Sequence, residues 1–393
     1  MTKGASFWLD AVAELLVTSP LAQPSGLAAL INDVMRPAGV HLTIHLVDRE
    51  QRGLRTLPEG RRTVQPPVPI DTSLPGRAFM TIQPVAAPGQ AHHVWLPLID
   101  GSERLGVLEV SLPPELSADD PALHRGLELL ARLIGHLVVA KSSYGDTVRR
   151  TRRSQVMSTE GEMLWRMLPP LTFATEQMML SAALEPCYHV GGDAFDYAVD
   201  HDVARIALFD AVGHGLRAAV TSAVTLAATR AARTAGLDLP AIAAAADQAL
   251  TSQFDDLRFT TAVFADLDLN DGTLTYLNAG HPPPVLMRDG RIVADLNAAR
   301  RLPLGLTGPA TGSATHSLQP GDRLLFYTDG ITEARDPEGQ LFGLPLLLEL
   351  AERHAATGLT VPEILRRLSH AVLDHQHGQL QDDATLLLVQ WRG

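Results

Sequence analysis

The sequence predicts an α+β protein of two domains, with antiparallel sheets covered by helices in the C-terminal one. Three observations carry this reading. The chain has 393 residues, more than one hydrophobic core ordinarily organises and comfortable for two. Hairpins of period-two apolar alternation are interleaved with pairs of helix-period stretches, unlike the strict strand-helix-strand order of a parallel sheet. A polar, arginine-bearing stretch from Lys141 to Glu162 separates a first run of such elements from a second.

In the first run, apolar spacing predicts a helix from Ala5 to Val17, and strand-like alternation follows from Val40 to Val47. Prolines at 66, 67 and 69 interrupt the chain. Val94–Ile99 and Leu105–Val110, joined through Asp100-Gly101-Ser102, then read as a β-hairpin. A helix is predicted from about Ala118 past Val139. The stretch that follows carries Arg149, Arg150, Arg152 and Arg153 and leads to Met163–Met167, where Pro169-Pro170 ends it. It reads as a helical connector with a solvated basic face, or one that touches a partner.

From about Met178 the second run begins. Ala262–Leu269 and Thr273–Leu277 flank the turn Asn270-Asp271-Gly272, and Pro284–Met287 and Arg291–Val293 flank Arg288-Asp289-Gly290, which gives two more hairpins. Helices are predicted from Leu216 to about Ala235, Leu239 to about Gln253, Leu344 to His354 and Val361 to Asp374. The alanine-rich stretch from Ala218 to Ala235 is the closest approach to a membrane span, but Arg230 and Arg233 punctuate it, so it reads as a buried helix. No internal repeat of fixed period is present.

Composition narrows the function. With 46% hydrophobic and 19% charged residues the chain is of the folded, globular kind. A formal charge of −12 argues against nucleic acid or an anionic membrane as the main partner, since either favours a basic surface. Cys187 is the single cysteine, which excludes an intrachain disulfide and a thiolate metal cluster and fits a cytoplasmic setting. The first ten residues already contain Asp10 and lack the apolar core of a secretion signal.

Four acidic positions stand out because each lies in a glycine-containing turn or at a strand edge. Gly191-Gly192-Asp193 is followed by Asp196. Val203–Phe209 ends in Asp210 and runs through Ala211-Val212-Gly213-His214-Gly215 into the alanine-rich helix. Leu324–Thr328 ends in Asp329 before Gly330, and Asp382-Asp383 precedes the strand Ala384–Val389. Any one of these is, taken singly, an ordinary turn signal or a solvated strand start. As a set, carboxylates converging from rigid strand ends repel one another unless cations sit among them. All-oxygen ligands favour magnesium or manganese over zinc or copper. His214, between two glycines, is either a ligand or acid or a shaper of its loop. His189 and His281 read as structural, since neither has a second histidine at metal-ligand spacing.

Six motifs then resemble, in order, the PPM-type phosphatases of the stage II sporulation and stress-response branch: Gly191–Asp196, Asp210–Gly215, Asn278–Pro283, Leu304-Gly305-Leu306, Tyr327–Gly330 and Asp382–Thr385. The resemblance spans about Met163 to Trp391. It implies an αββα sandwich of two antiparallel sheets flanked by helices, with two Mn2+ or Mg2+ ions at one edge. By the same resemblance Asp210 bridges both ions, Asp193 and the backbone carbonyl of Ala211 hold one, and Asp329 and Asp382 complete the other. Asp383 is the weaker candidate for the last position, and Asp196 stays outside the set. Phosphoserine or phosphothreonine on a protein would be hydrolysed by metal-activated water, without a protein nucleophile. Where the family often has valine and serine after the bridging aspartate, this chain has Ala211-Val212, so a hydroxyl near the substrate is lost while a backbone ligand is retained.

The N-terminal part resembles a GAF sensor domain of α/β type, on Trp95–Leu98, the turn after it, Leu105–Val110 and the long helix beyond. This gives a GAF-like domain at 1–141, a helical connector at 142–170 and a phosphatase domain at 171–393. The resemblance implies a phosphorylated anti-sigma-factor antagonist as substrate, regulation through the sensor domain, and a homodimer formed through that domain and the connector. Two other readings stand beside it: a catalytically weak, phosphatase-like module that sequesters a phosphoprotein, and a two-metal hydrolase of small phosphoesters.

Overall fold

A computed structural model of the chain describes residues 5–60, 65–87, 90–116, 120–189, 191–306, 308–309, 311–378 and 381–393. The chain divides into two units, Met1–Gln155 and Val156–Gly393.

The N-terminal unit opens with α1 (Ala5–Thr18) and α2 (Leu27–Met35), then β1 (His41–Val47), β2 (Gly53–Thr56), β3 (Val68–Pro69), α3 (Leu74–Thr81), β4 (Val85–Ala87), β5 (Gln90–Asp100) and β6 (Glu103–Ser111). It closes with α4 (Pro121–Ser142) and α5 (Thr147–Thr151). The strands form one sheet in the order β3-β2-β1-β6-β5-β4, antiparallel throughout. Strand alternation decides the faces. Leu42, Ile44 and Leu46 share a core with α1, α2 and α4, while Val47, Leu54 and Val107 pack with Ala78 and Phe79 of α3. The predicted hairpin at β5–β6 is present, and the long helix starts at Pro121; the expected start at Ala118 lies outside the described residues.

The stretch read as a helical connector contains two helices. Residues 152–158 interrupt it between α5 and α6 (Thr159–Met167). Ser158 starts α6 by accepting a hydrogen bond from the Gly161 amide at 3.1 Å, an N-cap that a continuous helix would not need.

The C-terminal unit continues with β7 (Thr172–Ala174), β8 (Met178–Glu185), β9 (Asp193–Asp200), β10 (Val203–Ala211), α7 (Gly215–Thr234), α8 (Leu239–Gln253), β11 (Thr260–Asp268) and β12 (Thr273–Ala279). Then come β13 (Val285–Arg288), β14 (Arg291–Asp295), β15 (Arg300–Arg301), β16 (Ala314–Ser317), β17 (Arg323–Tyr327), α9 (Asp329–Thr332), α10 (Gly343–Ala356), α11 (Val361–His375) and β18 (Ala384–Trp391). One sheet runs β15-β12-β11-β10-β9 with β16 on β12, and the other β14-β13-β17-β18-β8-β7. Both are antiparallel except for the short β12–β15 pair.

Alternation again assigns the layers. Phe195, Ile206, Leu208 and Val263 meet Leu180, Phe326, Leu387 and Val389 between the sheets. The residues between them in sequence face outward. Ala207, Phe209 and Phe264 pack against α7 and α8, and Leu325, Tyr327, Leu386 and Leu388 against α10 and α11. The result is four layers: helices, sheet, sheet, helices. The alanine-rich helix α7 is covered on one side only, with Ala218, Ala219 and Leu226 inward and Arg217 in solvent. It is therefore not buried all round: small side chains let it lie close to β9 and β10, and Arg217 is exposed on its other side.

Candidate metal centre

The two sheets bring the acidic motifs to one edge. Asp193 is the first residue of β9 and Asp210 the next-to-last of β10, and the antiparallel register pairs them directly. Like charges directly opposite one another in a sheet have Cβ atoms only about 5 Å apart and destabilise the pair unless something neutralises them. Asp193 is 1% exposed. Burial, then the charges of Asp210 and Asp383, push its carboxyl well above the usual carboxylate range, and a hydrogen bond from Thr328 opposes this. Burial, followed by Asp329, Asp382 and Asp383, pushes Asp210 up to about 7.

The opposite sheet supplies the remaining acids. Asp329 is not at a strand end as expected: β17 stops at Tyr327 and Asp329 is the first residue of the short α9. It reaches solvent, yet partial desolvation and the charges of Glu333 and Asp382 raise its carboxyl. The Thr328 hydroxyl donates to Asp193 Oδ2 at 2.7 Å and accepts from the Thr385 amide at 2.9 Å, so the residue between β17 and α9, itself held by β18, secures the buried carboxylate of the other sheet. Nothing in the sequence signals this role beyond the position of Thr328 next to Asp329.

Asp382 and Asp383 separate by geometry. The Asp383 carboxylate accepts from the amides of Gly191 at 2.8 Å, Gly192, and Asp193 at 3.4 Å, which fixes the loop that presents Asp193. Asp382 is exposed, and its Oδ1 accepts from the Asp383 amide at 2.9 Å. Asp383 is thus occupied with the loop, while Asp382 stays exposed.

Close approach explains the glycines. A Cβ on Gly192 would lie 2.8 Å from the carbonyl oxygen of Ala211, and one on Gly330 would lie 1.9 Å from the carbonyl oxygen of Asp383. The Ser222 hydroxyl donates to the Gly192 carbonyl and pins this loop to α7. Asp196, three residues past Asp193, turns to the helical side. It accepts from Arg230 at 2.6 and 3.0 Å and from Arg233 at 2.5 Å, and so anchors α7 instead of supporting the acidic cluster.

The histidines divide as well. His214 precedes α7, is exposed and makes no side-chain cap. His189 is exposed. His281 is buried; its Nδ1 hydrogen-bonds Thr261 Oγ1 at 2.7 Å, and burial depresses its pKa to about 3, so it is neutral. Its backbone is clamped by both ends of the Asn278 amide. Thr261 is paired with Asp210 across β10 and β11, which makes His281 a prop behind the acidic row.

Among the described residues no three His, Cys, Asp or Glu side chains are gathered tightly enough to hold an ion as they stand. The donor set nevertheless fits a hard divalent cation. It consists of oxygens only, two of the carboxylates face each other across a ladder, and four of the five have their charged form disfavoured where they lie. Cations would remove that penalty.

Residues 200–392 match the family model described as Stage II sporulation protein E (SpoIIE). The match covers just under half of the chain, in the C-terminal unit. Protein IcfG of Synechocystis is 28% identical over 54% of this chain and 38% of its own length. Phosphoserine phosphatase RsbU of Bacillus subtilis is 25% identical over 55% of this chain and 64% of its own. This chain therefore spans less than two thirds of either relative. Among solved structures, the SiaA-PP2C domain of Pseudomonas aeruginosa superposes with a TM-score of 0.51 at 22% identity, over 64% of this chain and 98% of that one. That likeness is one of fold. No helix among the described residues is long and apolar enough to cross a membrane.

Proposed function

We propose that the chain is a protein serine/threonine phosphatase dependent on two Mn2+ or Mg2+ ions. The observation that carries this is the direct pairing of Asp193 with Asp210, ringed by Asp329, Asp382 and Asp383. Asp210 would bridge the ions, Asp193 and the carbonyl of Ala211 would hold one, and Asp329 and Asp382 the other. Bound there, the ions would supply an activated water for attack on phosphorus and charge neutralisation for the phosphoryl group. The protein's own part is positional. Thr328 and Asp383 hold Asp193 and its loop, Gly192 and Gly330 leave room for close backbone approach, and α7 backs the β9–β10 edge through Asp196.

The resemblance of this chain to RsbU supports a phosphoserine protein of a partner-switching pathway, an anti-sigma-factor antagonist, as substrate. Release of phosphate from a phosphoserine and phosphothreonine protein panel, set against small phosphoesters, tests this. Release from small phosphoesters alone would favour the small-molecule hydrolase, and binding of phosphoprotein without release the sequestering module.

We place control in a GAF-like N-terminal domain, a cytoplasmic setting and a homodimer formed through that domain and the connector; a monomeric mass by light scattering argues against the dimer. Arg230 gives a route for control, since it donates to the carbonyl of Met167 at the end of α6 at 2.8 Å and also to Asp196 on β9. Movement of α6 would reach α7 and the loop after Asp210 through this one side chain. Arg230→Gln is expected to shift the manganese concentration for half-maximal activity, and an unchanged value counts against the route.

A further inference from the structure

The arginine cluster of the connector has two fates in the N-terminal unit. Arg149 Nη2 donates to the Ser142 carbonyl at 2.7 Å and Arg152 Nε to the Val47 carbonyl at 3.0 Å, so these two tie α5 to its neighbours. Arg150 and Arg153 instead line a cavity of about 730 Å³ together with Arg55 of β2. Its walls come from α2, β1, β2, the chain after β2, and α5.

Floor and rim differ in chemistry. Ala28, Leu42, Ile44 and Leu57 contribute an apolar surface from side chains that belong to the N-terminal core. Asn32 also lines the cavity, but its amide is spent on the Leu42 backbone, donating at 2.9 Å and accepting at 2.8 Å. Among the described lining residues, three guanidinium groups face one carboxylate, Glu59. The Nε of Arg55 is buried without a hydrogen bond among the described residues and lies 3.9 Å from Asp48 Oδ2. A cationic rim of this kind stands out in a chain of net charge −12.

We propose that this cavity binds a small amphipathic organic anion, its apolar body on Leu42, Ile44 and Leu57 and its carboxylate, sulfonate or phosphate between Arg55, Arg150 and Arg153. The volume lies within the roughly 300–1,000 Å³ of organic-ligand pockets and far exceeds what a bare oxyanion fills. Guanidinium groups suit oxyanions because their N–H donors match two oxygens at once. Because Arg150 lies on α5 and Arg153 just after it, and the C-terminal unit begins at Val156, a bound anion would act on the segment just ahead of that unit in sequence.

The test is fluorescence titration of the full chain with 8-anilino-1-naphthalenesulfonate, with 2-naphthoate as competitor. Arg150 is exposed, so Arg150→Glu leaves the core intact; Arg77→Glu, exposed on α3, matches its charge change away from the cavity. Thermal melts confirm that both variants fold. Saturable binding, displaced by 2-naphthoate and weakened roughly tenfold or more by Arg150→Glu, about 1.4 kcal/mol, but not by Arg77→Glu, is the expected result. The neutral probe N-phenyl-1-naphthylamine should not distinguish Arg150→Glu from wild type. Absence of saturable binding by both anions, or equal effects of the two variants, overturns the proposal. Displacement by inorganic phosphate as effective as by 2-naphthoate overturns the amphipathic assignment.

Discussion

Replacing Asp210 by Asn should stabilise the metal-free protein, even though it removes a residue central to the proposed chemistry. Asp210 is raised from 3.8 to about 7, chiefly by burial and then by Asp329, Asp382 and Asp383. Between those two pH values the folded chain binds more protons than the unfolded one, so its stability falls as pH rises through the window and reaches its low plateau above about 7. Roughly three pH units at about 1.4 kcal/mol each set an upper bound of about 4 kcal/mol. Burying the amide of Asn in place of the carboxylate offsets part of this, which brings the expected gain to about 2–3 kcal/mol. For a domain of this size that corresponds to about 5–10 °C. The assay is thermal unfolding of wild type and Asp210→Asn in chelator at pH 8 and pH 5, with the variant's advantage smaller at pH 5. A variant less stable than wild type at pH 8, or an advantage that does not change with pH, would refute the electrostatic reasoning.

Two further substitutions test how the acidic row is supported. Gly330→Ala places a methyl group 1.9 Å from the Asp383 carbonyl oxygen; urea unfolding should show a loss of at least about 2 kcal/mol, while Gly312→Ala, which has open space, should be near neutral. Thr328→Val removes a donor to Asp193 and leaves the Thr385 amide without its acceptor; the expected cost is about 1–3 kcal/mol, together with a higher manganese requirement for activity.

Periodicity made most of the fold legible. Alternation in Val203–Phe209 and Leu324–Tyr327 decides which side chains face the second sheet and which face helices, and the structure follows it. What stayed hidden was the identity of partners far apart in sequence. Asp383 grips amides at 191–193, some 190 residues upstream, and nothing in Asp382-Asp383 distinguishes the residue that turns inward from the one that turns out. Asp196 shows the same limit: strand period places it on the face opposite Asp193, but only packing of α7 brings Arg230 and Arg233 to it. The break between α5 and α6 was overlooked because a polar stretch lacks the apolar stripe that marks where one helix ends, although the Ser158 cap was present in the sequence. The cavity in the N-terminal unit assembles from α2, two strands and α5, a juxtaposition no single motif encodes.

Phosphate release from a phosphoprotein panel, with manganese, magnesium or chelator present, tests the central claim most directly when wild type is compared with Asp210→Asn. The expected result is release that requires the metal and is lost in the variant although the variant remains folded. Release by Asp210→Asn equal to that of wild type, or none by wild type with either metal on a panel that a control phosphatase hydrolyses, would contradict the account.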